Sequence, residues 1–358
     1  MCSLTQKQQG PYKVNVTPQD SSFIPTLAVT LWLGWFGGSL YIILFTVFTT
    51  NSIVKSILSA LILLSLVLPR NFPKTYGTWI GNWIARNAQL YFGIKTIFED
   101  YHSIEKYSSS VDHNDVKNNN KNSYDDNNKS ETKGVIFAME PHDILPYSVF
   151  VFNPSLQLLP GSVGQNGTAL ITGAAFQIPF MKQVFTWVGA NPVDKRTFRS
   201  RLQQEKSLSF CPGGVQEVIY MDDQRNNDTI TLFLMKRKGF IKLALENGSP
   251  IVPVFSFHLD GSYGYYIPKG KIVTILARMI GFVPMIFWGR FLIPFGIPYP
   301  KQISVVFGKA IDVPKLNVED ITNEIIDKYH GMFISEMMAL FERHKHNEGY
   351  GDKTLKII

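Results

Sequence analysis

The chain has 358 residues, two cysteines, seven histidines and a net charge of +7. Two cysteines without a CxxC pair exclude a disulfide scaffold and a thiolate zinc site, and scattered lysines and arginines exclude a stripe that tracks nucleic acid. The length admits one large α/β core with appended segments, and with 13% aromatic residues and a mean hydropathy near zero the apolar content is high for a soluble protein and unevenly placed.

Residues 1–20 read as a polar N-terminal tail. From Ser21 to Val54 there is no charged side chain, and beyond Lys55 a second uncharged stretch runs from Ser56 to Pro69. The first exceeds the roughly 20 residues that cross a bilayer, and Asn51 and Lys55 interrupt the pattern where a turn would lie. Residues 21–70 are therefore expected to form a membrane-embedded helical hairpin, the alternative being a buried helical pair of a soluble protein. Lys13 precedes it and Arg70, Lys74 and Arg86 follow it, which favours both ends on the cytosolic side. The polar lead of about twenty residues disfavours a cleaved signal peptide. Residues 71–107 read as an entry segment. Between 108 and 133 the composition collapses to Ser, Asn, Asp and Lys, which predicts a disordered insertion.

From Gly134 onward, strand-like and helix-like stretches alternate, predicting a catalytic domain over 134–358 with a mixed α/β sheet flanked by helices. Apolar runs predict strands at 134–139, 207–211, 251–257 and 303–307. A helix from Lys238 to Asn247 is closed by Gly248 and Pro250. The last helix is expected from about Val318 to Lys345, capped by Asn317, with a core stripe of Ile321, Ile325, Tyr329, Phe333, Met337, Leu340 and Phe341.

The first strand runs into Glu140-Pro141-His142-Asp143, so a histidine sits at a strand's carboxyl end, where α/β enzymes keep their chemistry. Imidazole titrates near neutral pH, and Pro141 stiffens its loop, so His142 is a candidate general base. Glu140 and Asp143 are either hydrogen-bond partners of the imidazole or solvated loop charges. After the second strand comes Cys211-Pro212-Gly213-Gly214-Val215-Gln216-Glu217. Its two glycines permit close backbone approach to a phosphate or a developing oxyanion, or make only a tight turn. Glu217 supplies an acceptor that would orient the imidazole, giving a histidine–carboxylate dyad. Cys211 reads as core. Cations gather at Lys195-Arg196 and at Lys236-Arg237-Lys238, solvated or set to attract phosphate. Arg290, in an apolar neighbourhood, is read as lying at a membrane interface or facing a polar headgroup. No Gly-x-Ser-x-Gly elbow is present to support a hydrolase.

These residues resemble the type 2 diacylglycerol acyltransferases and their monoacylglycerol and wax-ester relatives, within the wider lysophospholipid acyltransferase-like group. The resemblance rests on the apolar N-terminal hairpin, Glu140-Pro141-His142, Trp187 to Pro192, Pro212 to Glu217, Lys238-Gly239-Phe240, Gly248 to Val254, Trp288-Gly289-Arg290-Phe291 and Gly308-Lys309. It implies a glycerolipid acyltransferase-like fold in which His142 deprotonates an acceptor hydroxyl that attacks the thioester of acyl-CoA directly. Diacylglycerol is the implied acceptor, with monoacylglycerol or a long-chain alcohol as alternatives. The implied substrate-binding set is Glu140, Pro141, Asp143, Pro212, Gly213, Gly214 and Arg290. Lys195, Arg196, Lys236, Arg237 and Lys238 would hold the polar part of CoA.

No metal or cofactor is implied, acyl-CoA being a co-substrate. The implied partners are membrane lipids, not nucleic acid, and a homo-oligomer is compatible with the reading. The implied location is the endoplasmic reticulum membrane with both termini cytosolic, and lipid droplets as a second site. The chain departs from the family in two places. Animal members carry His-Pro-His-Gly where this chain has Glu140-Pro141-His142-Asp143, close to the plant Glu-Pro-His-Ser. The wider group's aspartate, separated from the histidine by four residues, is replaced by Tyr147, which leaves Glu217 to act in its place. A membrane lipid hydrolase and a non-catalytic lipid-binding protein are the readings from other classes.

Overall fold

The computed structural model describes residues 5–9, 12–108, 133–221, 228–268, 270, 275, 279 and 283–358. The expected Asn-rich insertion lies, apart from its two ends, outside these residues. The described strands are β1 (Thr5–Gln9), β2 (Tyr12–Val16), β3 (Lys95–Phe98), β4 (Ile136–Glu140), β5 (Ala169–Ile171), β6 (Ala190–Pro192) and β7 (Leu208–Phe210). They continue with β8 (Thr229–Leu232), β9 (Ile251–Phe257), β10 (Gly264–Tyr266), β11 (Ile286–Trp288), β12 (Ser304–Phe307) and β13 (Thr354–Ile357). Nine of them form one mixed sheet in the order β1-β2-β3-β12-β9-β4-β7-β5-β6.

Five adjacent strands, β9, β4, β7, β5 and β6, run parallel, so their carboxyl ends share one edge. Parallel strands of this kind are covered on both faces and read as unbroken apolar runs. That is the case here: Phe137 and Met139 of β4 face one core cluster, while Ile136 and Ala138 face the other. The apolar runs at 134–139 and 251–257 were legible for this reason. β13 stands outside the main sheet and pairs in parallel with β8.

The first four helices are α1 (Phe23–Leu33), α2 (Trp35–Phe48), α3 (Ser52–Val67) and α4 (Lys74–Phe92). The uncharged N-terminal run was expected to give two helices. It gives three, because α1 and α2 are bent by 63° at Gly34, and among the described residues no single helix is long and apolar enough to cross a membrane. Asn51 does mark the second break, its side chain accepting from the N–H groups of Ile53 and Val54 to cap α3. Val29, Trp32 and Leu33 of α1 enter the main core. α3 is different: Ser65 is its only buried residue, while Ile53, Ile57, Leu63, Leu64 and Val67 are exposed. The Ser65 Oγ accepts from the Phe180 N–H at 2.5 Å, and its carbonyl accepts from the Gln183 amide at 2.8 Å, so the polar side of α3 faces the protein.

The remaining α-helices among the described residues are α5 (Tyr101–Glu105), α6 (Gly161–Gln165), α7 (Met181–Trp187), α8 (Lys195–Gln203), α9 (Val215–Val218), α10 (Gly239–Asn247) and α11 (Asn323–His344). α4 packs on α7 through Gly77 and Gly81, where added Cβ atoms would lie 2.2 and 1.8 Å from Trp187. α11 starts later than expected. Thr322 is its cap, its hydroxyl accepting from the Ile325 N–H, and Val318–Asp320 forms a separate 3-10 turn after Asn317. Its stripe holds: Phe333, Met337, Leu340 and Phe341 are core, with Ile321, Ile325 and Tyr329 packed against them.

Candidate active site

β4 ends at Glu140, a cis peptide leads into Pro141, and Asp143 takes a φ of +49°. That left-handed backbone is one that aspartate tolerates better than most residues. It leaves the Asp143 carbonyl facing the preceding side chain, and the His142 ring meets it through Nδ1 at 2.8 Å. A carbonyl oxygen only accepts, so Nδ1 carries the proton and Nε2 keeps its lone pair. No described residue hydrogen-bonds Nε2. Burial holds the imidazole below its ordinary value, which keeps the base form present at neutral pH.

Glu217 reaches this loop through a different atom from the one expected. Its Oε2 accepts from the His142 main-chain N–H at 2.9 Å and its Oε1 from the Phe233 N–H at 2.9 Å. The ring's own bond goes to Asp143, so Glu217 fixes the histidine loop and leaves the imidazole alone. Glu140 is not a solvated loop charge: it is fully buried, and its Oε1 accepts from the Gly213 N–H at 2.7 Å. Gly213 is required as glycine, since a Cβ there would lie 1.8 Å from Glu217 Oε1. Because its N–H already donates to Glu140, it is not free for an oxyanion. The Gly214 N–H, in a residue with φ of +60°, has no acceptor among the described residues.

The cations separate. Arg237 donates to the Gly213 carbonyl at 3.2 Å and lies 5.1 Å over the Phe233 ring, so it belongs to the glycine loop. Lys238 pairs with Asp327 at 2.6 Å, and Lys236 is exposed. Lys195 and Arg196 are exposed at the start of α8, just past β6 and therefore on the carboxyl edge that carries His142. Arg290 has polar partners of its own. It donates to the Ser21 carbonyl at 3.2 Å and Thr26 Oγ1 at 2.8 Å, fastening the start of α1 to the 290 loop. Tyr147, at the wider group's aspartate position, stacks on Phe92 at 4.6 Å and donates to Ser262 Oγ. It is a core residue. Burial and then the nearby Glu140 and Glu217 push the Cys211 thiol well up, so it stays protonated and is no nucleophile.

A cavity of about 190 Å³ opens beside the loop, lined by Pro141, Asp143 and Glu217 on one side and by Asp260, Tyr350 and Lys353 on the other. Burial pushes the Asp143 carboxyl up to about 7. The far wall is tied together: the His258 N–H donates to the Tyr350 hydroxyl at 2.9 Å, Tyr350 donates to Asp260, and Lys353 meets Asp260 at 2.7 Å. Sequence reasoning missed Asp260, Tyr350 and Lys353. The signal available was the Gly349-Tyr350-Gly351 run close before β13.

The fold and the site define a mixed α/β domain with a half-buried histidine held just past the carboxyl end of a parallel strand. The diacylglycerol acyltransferase family model matches residues 121–358, and the chain belongs to that family. It is 34% identical over 235 residues to diacylglycerol O-acyltransferase 2 of Dictyostelium discoideum, covering 62% of this chain and 68% of that one. The human diacylglycerol O-acyltransferase 2 is 32% identical over 60% of this chain and 57% of its own. The mouse acyl-CoA wax alcohol acyltransferase 2 is 27% identical over 64% and 71%. The matched region thus spans 57–71% of the length of these relatives. Among solved structures, a 1-acyl-sn-glycerophosphate acyltransferase from Thermotoga maritima aligns over 87% of this chain and 93% of its own at 11% identity, with a TM-score of 0.36. That score is too low to bear on the fold.

Proposed function

We propose that the chain moves a fatty acyl group from acyl-CoA to the free hydroxyl of diacylglycerol, making triacylglycerol. The observation that carries this reading is the His142 ring, its Nδ1 tied to the Asp143 carbonyl and its Nε2 unoccupied, in a chain of this family. Nε2 takes the acceptor's hydroxyl proton as the oxygen attacks the thioester carbonyl. The tetrahedral intermediate then collapses, and the imidazolium returns the proton to the departing CoA sulfur. Base assistance of this kind contributes on the order of 10²–10⁴ in rate. No acyl-enzyme forms, and the protonated Cys211 supports that route.

Exposed Lys195 and Arg196 on the carboxyl edge are suited to the CoA phosphates, with Lys236 as a further contact. The acidic lining of the cavity disfavours a polyanion and suits a neutral hydroxyl-bearing acceptor. The apolar outer sides of α2 and α3 are suited to one leaflet of a membrane, which would keep diacylglycerol and the acyl tail in lipid while CoA arrives from the cytosol. The endoplasmic reticulum with both termini cytosolic, and lipid droplets, fit this arrangement. A wax-alcohol or monoacylglycerol acceptor is the second reading, supported by the likeness to the wax alcohol enzyme.

The test offers labelled acyl-CoA to membranes carrying the chain, with diacylglycerol, monoacylglycerol or a long-chain alcohol in turn, and separates the products by thin-layer chromatography. Labelled triacylglycerol and CoA thiol release that depends on added diacylglycerol are expected. Thiol release without any acceptor would make it a hydrolase, and no release at all would leave a lipid-binding protein.

A further inference from the structure

Two carboxyl groups meet beneath the catalytic loop, and the mechanism above uses neither in a bond-making step. Glu217 is an acceptor at both oxygens, from the His142 and Phe233 N–H groups. Glu140 is an acceptor at Oε1, from Gly213, while its Oε2 is buried without a partner. The two side chains are 0% and 1% exposed and converge on Gly213, whose N–H donates to Glu140 Oε1 and whose Cβ position lies 1.8 Å from Glu217 Oε1. Two bare carboxylate charges in a dry pocket repel strongly.

We infer that Glu140 is a neutral carboxylic acid whose proton is donated to the Glu217 carboxylate, and that this acid–carboxylate pair is the clamp that holds the His142 loop against the Pro212-Gly213-Gly214 loop. The assignment of the proton follows from counting acceptors. Glu217 already has an N–H at each oxygen and must stay ionised, whereas Glu140 has one oxygen with nothing to accept. The surrounding charges agree. Arg237 is the cation that acts on both carboxyls, so one shared proton leaves the cluster near neutrality. Burial, then Glu217, pushes the Glu140 carboxyl well up, and burial pushes Glu217 up. The other titratable groups facing the pair are the Cys211 thiol and the His142 loop itself. Both glutamates are thus positioning residues, and the inference rests on the acyl-transfer reading only for its kinetic arm.

The two positions should respond differently to the same change. Gln at 140 can still accept from Gly213 and donate through its amide to Glu217. Gln at 217 offers N–H groups where one backbone N–H needs an acceptor. Glu140→Gln is therefore expected to keep the greater part of the acyl-transfer rate and Glu140→Ala to lose it. Glu217→Gln is expected to lower kcat about 10- to 100-fold, the effect of losing a charge-assisted hydrogen bond, with KM for acyl-CoA little changed. Melting in detergent against pH reads the proton without reference to catalysis. A carboxyl raised above its unfolded value of 4.5 favours the fold below that pH and loses the effect as pH rises toward its folded value. Glu217 and Asp143 slope the same way, so the difference between wild type and Glu140→Gln is the measure: the wild-type midpoint should fall more steeply with rising pH. Equal slopes, or Glu140→Gln as inactive as Glu140→Ala, would overturn the pair. A wild type inactive on every acceptor, with the slopes still differing, would sink the acyl-transfer reading and leave the pair standing.

Discussion

His142 and Asp143 act as one unit, because the backbone of the second sets the tautomer of the first. Replacing His142 with Ala is expected to lower turnover at least about 100-fold while the melting midpoint in detergent stays near wild type. Since burial lowers the imidazole's ionisation, kcat/KM should rise with pH and level off below the ordinary value of 6.5. The Asp143 carboxyl, pushed up to about 7 by burial, adds a second inflection that Asp143→Asn should remove. Asp143→Gly can keep a φ of +49°, whereas a β-branched residue cannot. Asp143→Val should therefore release the ring and reduce kcat about 10-fold or more, and measured pH profiles of the two variants will separate them. At this scale the sequence named the histidine and the glutamates correctly as neighbours but not their bonds. Spacing along a chain tells which loops can meet, whereas the choice between a ring nitrogen and a main-chain N–H is made by the packing around Gly213.

The elements most legible in the sequence were those with strong periodicity or unbroken apolar runs. β9 spans the residues expected, Ile251–Phe257, and α10 ends at Gly248 in the left-handed conformation that glycine favours. β5 and β6 have three residues each, too few to show a period. The bend at Gly34 was hidden because every residue around it is apolar, so nothing in the pattern marks a change of direction. The glycine seam between α4 and α7 was hidden too, since Gly77 and Gly81 have meaning only against the Trp187 they face. Gly81→Val is expected to destabilise the fold by about 1–3 kcal/mol through overpacking. Thermal unfolding in detergent would measure it, and a midpoint equal to wild type would show that the seam can open.

Across the whole molecule, a continuous sheet carries the His142 loop at one edge, and the apolar sides of α2 and α3 are exposed. α3 presents the inverse of a soluble helix: Ser65 inward, Leu61 and Leu64 outward. Placing Asp at both leucines should cost about 2.5–3.5 kcal/mol per site if each reaches the hydrocarbon and should move the chain out of the vesicle fraction in a flotation gradient. Unchanged flotation would show that this helix does not enter lipid. The same outward face has a kinetic consequence. An enzyme seated in a leaflet meets its acceptor by two-dimensional diffusion, so its velocity should follow the mole fraction of diacylglycerol in that surface. Adding inert phospholipid at constant total acceptor should slow the reaction, and stirring in more vesicles of the same make-up should leave the rate per bound enzyme where it was.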